Sequence, residues 1–249
     1  MQIAVISDIH GNYIALEAVL ADLAHHPADS MVCLGDAIQG GPQPAEVVAR
    51  LRQLACPVVM GNADAWLLTG KETGHEQISA ERNRQLEAVR GWSLTRLSTE
   101  DQGFIASFQP TVEIPLRAIQ NLLCFHGSPA SFDDVILPIT PEEEFQRYLG
   151  AYATHILTGG HTHIQYIRRV GDSFYFNPGS VGLAYSHAQS EGAFHADPWA
   201  EYAVLTVDGD HVGLEFRRVP FDVAELVRTY RGSGRPFAEE AITQFVSPD

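Results

Sequence analysis

Five short apolar runs in this chain each end on residues of metal-ligand type, and that recurrence constrains the fold more than any other feature. Gln2–Ser7 leads into Asp8-Ile9-His10, Met31–Leu34 into Gly35-Asp36, and Pro57–Met60 into Gly61-Asn62. The run ending at Phe125 leads into His126-Gly127, and Ile156–Thr158 leads into Gly160-His161-Thr162-His163. Short apolar runs bounded by turn residues read as buried strands. Ligands of open α/β sheets collect outside the carboxyl ends of the strands, so five such ends can converge on one place. The glycines fit this reading, because a backbone turning sharply beside a ligand needs freedom from a Cβ.

The rhythm between the motifs is strand, loop, helix. Ile14 to Leu23 carries helical periodicity, and Pro44–Leu54 reads as a second helix with proline in its first turn. This alternation predicts a mostly parallel sheet with helices on its faces. Residues 66–108 are polar, with Leu86, Val89, Trp92, Leu94 and Leu97 spaced for one or two amphipathic helices. They read as a helical excursion packed as a flank, with an overhang above the site as the alternative. From Thr111 strands dominate: a hairpin of Thr111–Pro115 with Ile119–Phe125, a helix from Pro141 to Leu149, and strand His155–Thr158. A hairpin of Ile164–Val170 with Ser173–Phe176 follows, then Tyr202–Val207 with Val212–Arg218, each across a Gly/Asp turn. Two amphipathic helices, Asp222–Tyr230 and Pro236–Phe245, close the chain, and Ala184–Pro198 reads as a long irregular loop. The expected organisation is one domain over 1–249.

With 249 residues, 45% of them hydrophobic, the chain can bury a sizeable core. Its 31 acids against 16 bases give −15, which opposes broad docking on a nucleic-acid backbone. Cys33, Cys56 and Cys124 are widely spaced, form no CxxC pair and read as buried free thiols. No apolar run approaches the roughly 20 residues of a membrane span. MQIAVIS lacks the basic and apolar segments of a signal peptide. A soluble, cytoplasmic setting without membrane attachment is the expectation; the oligomeric state is left open.

The residue types suit a pair of divalent metals. Carboxylates suit hard cations, imidazoles suit Mn, Fe, Ni and Zn, and an amide oxygen is a neutral ligand. In Asp8-Ile9-His10 both side chains reach one metal if the backbone is extended, since positions i and i+2 share a face. His161-Thr162-His163 serves two neighbouring metals if the loop turns between them.

The ordered series DxH, GD, GNxD, HG and GHTH resembles the calcineurin-like metallophosphoesterases, closest to their small bacterial and archaeal phosphodiesterases. The resemblance spans about Met1 to Val181 and includes Asn177-Pro178-Gly179-Ser180-Val181. It implies an α/β fold in which a sandwich of two β-sheets is flanked by helices. It assigns Asp8, His10 and His163 to one metal, Asn62, His126 and His161 to the second, and Asp36 to both. The implied cofactors are two divalent ions, and the implied reaction is hydrolysis of a small or nucleotide-like phosphate ester by a hydroxide held between them. Asp36, Asn62, His126 and Asp64 are the implied catalytic group, Asp64 orienting a ligand such as His10.

Two departures bear on the substrate. Many members of the family it resembles carry histidine after the motif asparagine, where this chain has Ala63, so His75, His187 and His195 are candidate replacements for the proton donor. Related sequences also place an arginine after the Asn-Pro-Gly-Ser-Val segment, where this chain continues Gly182-Leu183-Ala184-Tyr185. Arg117, Arg168 and Arg169 are candidate substitutes. A phosphodiesterase is the leading reading. A phosphomonoesterase (nucleotidase or phosphoprotein phosphatase) and a weakly active protein-interaction scaffold of the same fold are the alternatives.

Overall fold

The computed structural model describes residues 1–71, 79–116, 121–189 and 194–246. Its strands form two mixed sheets. In the first, β1 (Gln2–Ile6) runs parallel to β2 (Ser30–Cys33) and antiparallel to β8 (Trp199–Asp208), with β9 (His211–Pro220) beyond. The second has the order β3 (Val112–Pro115), β4 (Asn121–Cys124), β5 (Ile156–Thr158), β7 (Ser173–Pro178), β6 (Gln165–Val170).

The alternation of side chains along β1 explains why two sheets stack. Ile3 and Val5 face a dry layer shared with Val32, Leu122, Cys124, Phe176 and Leu205, drawn from both sheets. Ala4 and Ile6 point the other way, onto helices α1 (Tyr13–His25) and α2 (Pro44–Leu54) through Leu16, Val19, Val47 and Leu51. A strand apolar on both faces has to be covered twice, by a sheet on one side and by helices on the other. The second sheet repeats the pattern. Its outer face, with Phe125, Leu157 and Tyr175, is covered by Phe145 and Leu149 of α6 (Glu142–Leu149). The result is an αββα sandwich.

Three helices fill the stretch after the third motif: α3 (Asn62–Thr69), α4 (Ala80–Arg96) and α5 (Thr99–Ala106). Ser79 caps α4, and Ser98 with Asp101 forms a capping box on α5. Two further helices, α7 (Val223–Ser233) and α8 (Ala238–Ile242), pack Leu226, Tyr230 and Ile242 together near the C-terminus.

Two expectations are corrected. The sheets are mixed rather than mostly parallel, because β8 and β9 return as a long hairpin against β1. Pro57–Met60 pairs only through single bridges, Cys33 with Val58 and Val59 with Gln109, so it is an extended connector and not a full strand. The strands that lead into the motifs nevertheless run parallel to one another within each sheet, β1 with β2 and β4 with β5. Their carboxyl ends therefore open on one edge of the sandwich. No helix among the described residues is long and apolar enough to cross a membrane.

Candidate metal centre

The motif residues meet at that edge through backbone that few residues tolerate. Asp8, His10, Asp36, His161 and His163 all have positive φ, between +48° and +67°. Non-glycine residues held there cost on the order of 1–3 kcal/mol each, and such strain concentrates at functional sites. Asp8-Ile9-His10 is thus a contorted loop, not the extended stretch expected from the spacing. Ile9 is fully buried, and His10 shares a side with Asp8 because both residues turn left-handed. His161 and His163 also turn, with the Thr162 N–H closing on Gly160 O at 2.7 Å, so the two imidazoles part to different clusters.

Two glycines make the approach of the loops possible. A Cβ on Gly61 would lie 2.1 Å from Asp36 Oδ1, and one on Gly160 would lie 2.0 Å from Ser7 Oγ. Neither gap admits a side chain.

The ligand atoms gather into two groups that could hold metal ions, Asp8 with His10 and His163, and Asp36 with His126 and His161. Asp36 lies between them, its Oδ2 at 3.5 Å from His126 Nε2 and 3.9 Å from His10 Nε2. Asn62 heads α3 and brings its Oδ1 to 3.0 Å from His126 Nε2. All seven predicted ligand positions are therefore brought together.

Their hydrogen bonds show that the donor set fits a cation. The Nδ1 atoms of His10, His126 and His163 sit 2.9, 2.8 and 2.7 Å from the carbonyl oxygens of Gln39, Leu34 and Leu183. A carbonyl only accepts, so each Nδ1 carries a proton, and each ring, when neutral, turns an Nε2 lone pair inward. Those lone pairs meet other acceptors: His10 Nε2 lies 3.1 Å from His163 Nε2, and His126 Nε2 faces the amide oxygen of Asn62. Asp8 Oδ1 is buried without a hydrogen-bond partner, 3.2 Å from His163 Nε2. Acceptors confronting acceptors in a buried place repel unless a proton or a metal ion stands between them.

The charges agree. Burial opposes ionisation of Asp8 and Asp36, but His163 beside Asp8 and His126 beside Asp36 hold both carboxyls below the usual range. Burial likewise disfavours charge on His126, yet Asp36 pushes it up to about 10, while burial and the neighbouring His126 bring His161 down to about 4. The site thus combines ionised carboxylates with imidazoles of opposed tendencies.

Asp64 does not orient His10. Its buried carboxylate accepts the N–H groups of Ala37 and Ile38 at 3.1 and 3.0 Å, which buttresses the loop carrying Asp36. Burial, reinforced by Asp36, raises its pKa to about 7. The Ala63 N–H donates to Asp36 Oδ1 at 2.8 Å, so its backbone serves the site although its methyl cannot.

Of the three histidines considered to replace a donor at Ala63, His75 lies outside the described residues. His187 is stacked on Tyr185 with Nε2 held by Thr162 O, and His195 is exposed. A cavity of about 850 Å³ opens beside His10, Asn62, Ala63 and His161, and neither His187 nor His195 lines it. Nor do Arg168 and Arg169 reach it. Arg168 is spent on Thr140 O, Glu142 and the ring of Phe145, Arg169 bonds Gly171 O in solvent, and Arg117 lies outside the described residues. The helical excursion both flanks and overhangs: α4 buries Val89 and also walls the cavity through Arg82, Asn83 and Leu86.

Some supports carried no assigned role in the sequence. Asn177 donates to Gly160 O and Thr162 Oγ1, and Ser180 donates to Asp8 O while accepting the Leu183 N–H. The Asn-Pro-Gly-Ser segment is a brace for two ligand loops. Its sequence was visible, but its partners lie far away along the chain.

This sandwich, with paired His/Asp clusters at one edge, defines a metallophosphoesterase. A family model described as a calcineurin-like phosphoesterase superfamily domain matches residues 1–210, and the chain belongs to that family. Among its relatives, phosphodiesterase YfcE of Escherichia coli is 28% identical over 193 residues, covering 74% of this chain and 80% of the relative. A metallophosphoesterase from Sphaerobacter thermophilus is 26% identical with a TM-score of 0.71, covering 98% of both chains. A hypothetical protein from Pyrococcus horikoshii shares the fold at a TM-score of 0.80 and 19% identity, covering 100% of this chain and 99% of the other.

Proposed function

We propose that the chain is a two-metal phosphodiesterase of small, nucleotide-like esters. Asp8, His10 and His163 would hold one metal and Asn62, His126 and His161 the other, with Asp36 available to both. The observation that carries this reading is the convergence of Asp8, His10 and His163, and of Asp36, His126 and His161, into two clusters, with Asn62 Oδ1 facing His126. Two divalent cations supply Lewis acidity to the phosphoryl group and lower the pKa of the attacking water. The chain's own part is orientation. Carbonyl bonds fix three imidazole tautomers, and the backbone of Ala63 together with the Ala37–Ile38 turn on Asp64 holds the shared carboxylate. The leaving oxygen meets a methyl group at Ala63, so esters with acidic leaving groups are the better substrates. Similarity to a phosphodiesterase, and a cavity roomy enough for both ester arms, support a diester. Mn, Fe, Ni and Zn all suit this donor set. Three free cysteines support a reducing, cytoplasmic setting.

Metal analysis of the purified protein, then parallel assays on bis(4-nitrophenyl) phosphate and 4-nitrophenyl phosphate with Mn, Ni, Zn or Mg, test the reading. The expected result is divalent metal in both clusters and faster cleavage of the diester. Asp36→Asn is expected to lower kcat by about 10²-fold or more. Full activity in the metal-loaded variant would remove Asp36 from its shared role. Faster cleavage of the monoester would favour a nucleotidase or phosphatase, and failure to bind any divalent ion would favour a scaffold.

A further inference from the structure

The cavity beside the metal centre has a second charged wall. Arg235 stands in the turn between α7 and α8, beyond the residues that match the family model. Its Nε donates to Gly40 O at 2.7 Å, and its Nη1 donates to Pro236 O and Phe237 O at 2.9 and 3.1 Å. Three carbonyls thus fix the guanidinium plane. Nη2 has no hydrogen-bond acceptor, and Arg235 has no ion-pair partner, among the described residues. A Cβ on Gly40 would lie 3.6 Å from His10 Cβ, so one residue of backbone separates Arg235 from the ligand loop.

Arg82, in the first turn of α4, lines the same cavity with its side chain exposed and no hydrogen bond or ion pair among the described residues. Burial lowers the pKa of Arg235, Tyr230 opposes this, Arg82 lowers it further and Glu240 pulls the other way, so the two guanidinium groups lie within electrostatic reach of each other. The acids that line the cavity are Asp133, Asp134, Glu144 and Glu240, of which Asp134 accepts the Ser128 hydroxyl and Glu144 is bound by Arg147 and Tyr148. Arg235 is held by carbonyls alone and Arg82 has no ion-pair partner among the described residues, so the two guanidinium charges on this wall are open to an anion. Tyr230, with Arg235 at 5.5 Å over its ring, offers an apolar surface alongside.

We propose that Arg235 and Arg82 form a phosphate subsite, so that the substrate is a small phosphodiester carrying a second phosphate group, held across Gly40 from the scissile one. Phosphate suits the pair because its charge approaches −2: Nη2 of Arg235 keeps its N–H groups for an oxygen, and the exposed Arg82 has its whole fork of donors available. The inference rests on the phosphoesterase reading only for the scissile end.

Calorimetric titration of the Mn-loaded protein with thymidine 5′-phosphate and thymidine 3′,5′-bisphosphate tests it. The bisphosphate is expected to bind about tenfold tighter or better, and Arg82→Gln and Arg235→Gln each to reduce that ratio below about threefold. Arg82 is exposed, so its variant stays informative even if Arg235→Gln fails to fold. Equal affinities in the wild type, or an unchanged ratio in Arg82→Gln and any folded Arg235→Gln, would overturn the subsite. Hydrolysis of bis(4-nitrophenyl) phosphate by the same preparations reports separately on the esterase. Activity without the affinity ratio defeats the subsite alone, and the ratio without activity defeats the esterase alone.

Discussion

At the residue scale, Ala63 decides more about the substrate than its size suggests. It follows Asn62 at the head of α3 and faces the cavity, where a methyl group has no proton to give a departing alkoxide. General acids commonly contribute 10²–10⁴-fold, and a nitrophenolate leaving group needs that help far less than an alkoxide does. Ala63→His is therefore expected to raise kcat on alkyl phosphodiesters by about tenfold or more relative to nitrophenyl esters, measured on matched substrates. An equal change on both classes would show that protonation of the leaving group is not what limits turnover.

At the element scale, the helical layer is tied to the first sheet by one ionic bond set. Asp22, late in α1, accepts the Tyr202 hydroxyl of β8 at 2.5 Å and Arg217 of β9 through Nε and Nη2 at 2.8 and 3.2 Å. Burial would raise its pKa, but Tyr202 and Arg217 together hold it below the usual carboxylate value of 3.8. A folded pKa below the unfolded one means stability that is present above the unfolded value and lost as pH falls through the folded one. Asp22→Asn should cost about 1.5–3 kcal/mol at pH 7 by denaturant unfolding, with the gap from wild type narrowing below about pH 4. A gap independent of pH would mean that shape rather than charge holds α1 in place.

At the scale of the whole molecule, the metal centre joins loops from both sheets. Asp8 and Asp36 follow strands of the first, while His126, His161 and His163 follow strands of the second. A cation bound there cross-links the sandwich and binds the folded state far better than the unfolded one. Free metal at about 100 times its Kd adds roughly 2.7 kcal/mol. Melting temperature should accordingly rise with added Mn or Zn and fall with chelator, read by calorimetry, and the metal-dependent increment should shrink in Asp36→Asn. A melting temperature indifferent to metal and chelator would separate the clusters from stability altogether.

The sequence by itself determined the candidate ligand positions and the elements that present them. Asp8, His10, Asp36, Asn62, His126, His161 and His163 were legible because each follows a short apolar run and sits in or beside a glycine-bearing motif, a pattern local enough to read along the chain. Helix α2 was legible from periodicity and Pro44. Tertiary structure alone decided the rest. The left-handed turns at five ligand positions are imposed by neighbouring loops, and no propensity announces them. Asp64 turned out to brace backbone rather than His10, and Asn177 and Ser180 gained roles, because their partners are distant in sequence. Arg235 reaches the edge of the site from 195 residues beyond Gly40. Local physics chose which residues can bind a metal; only packing of the two sheets, which brings those distant carbonyls and loops together, decided how they are held and what lies beside them.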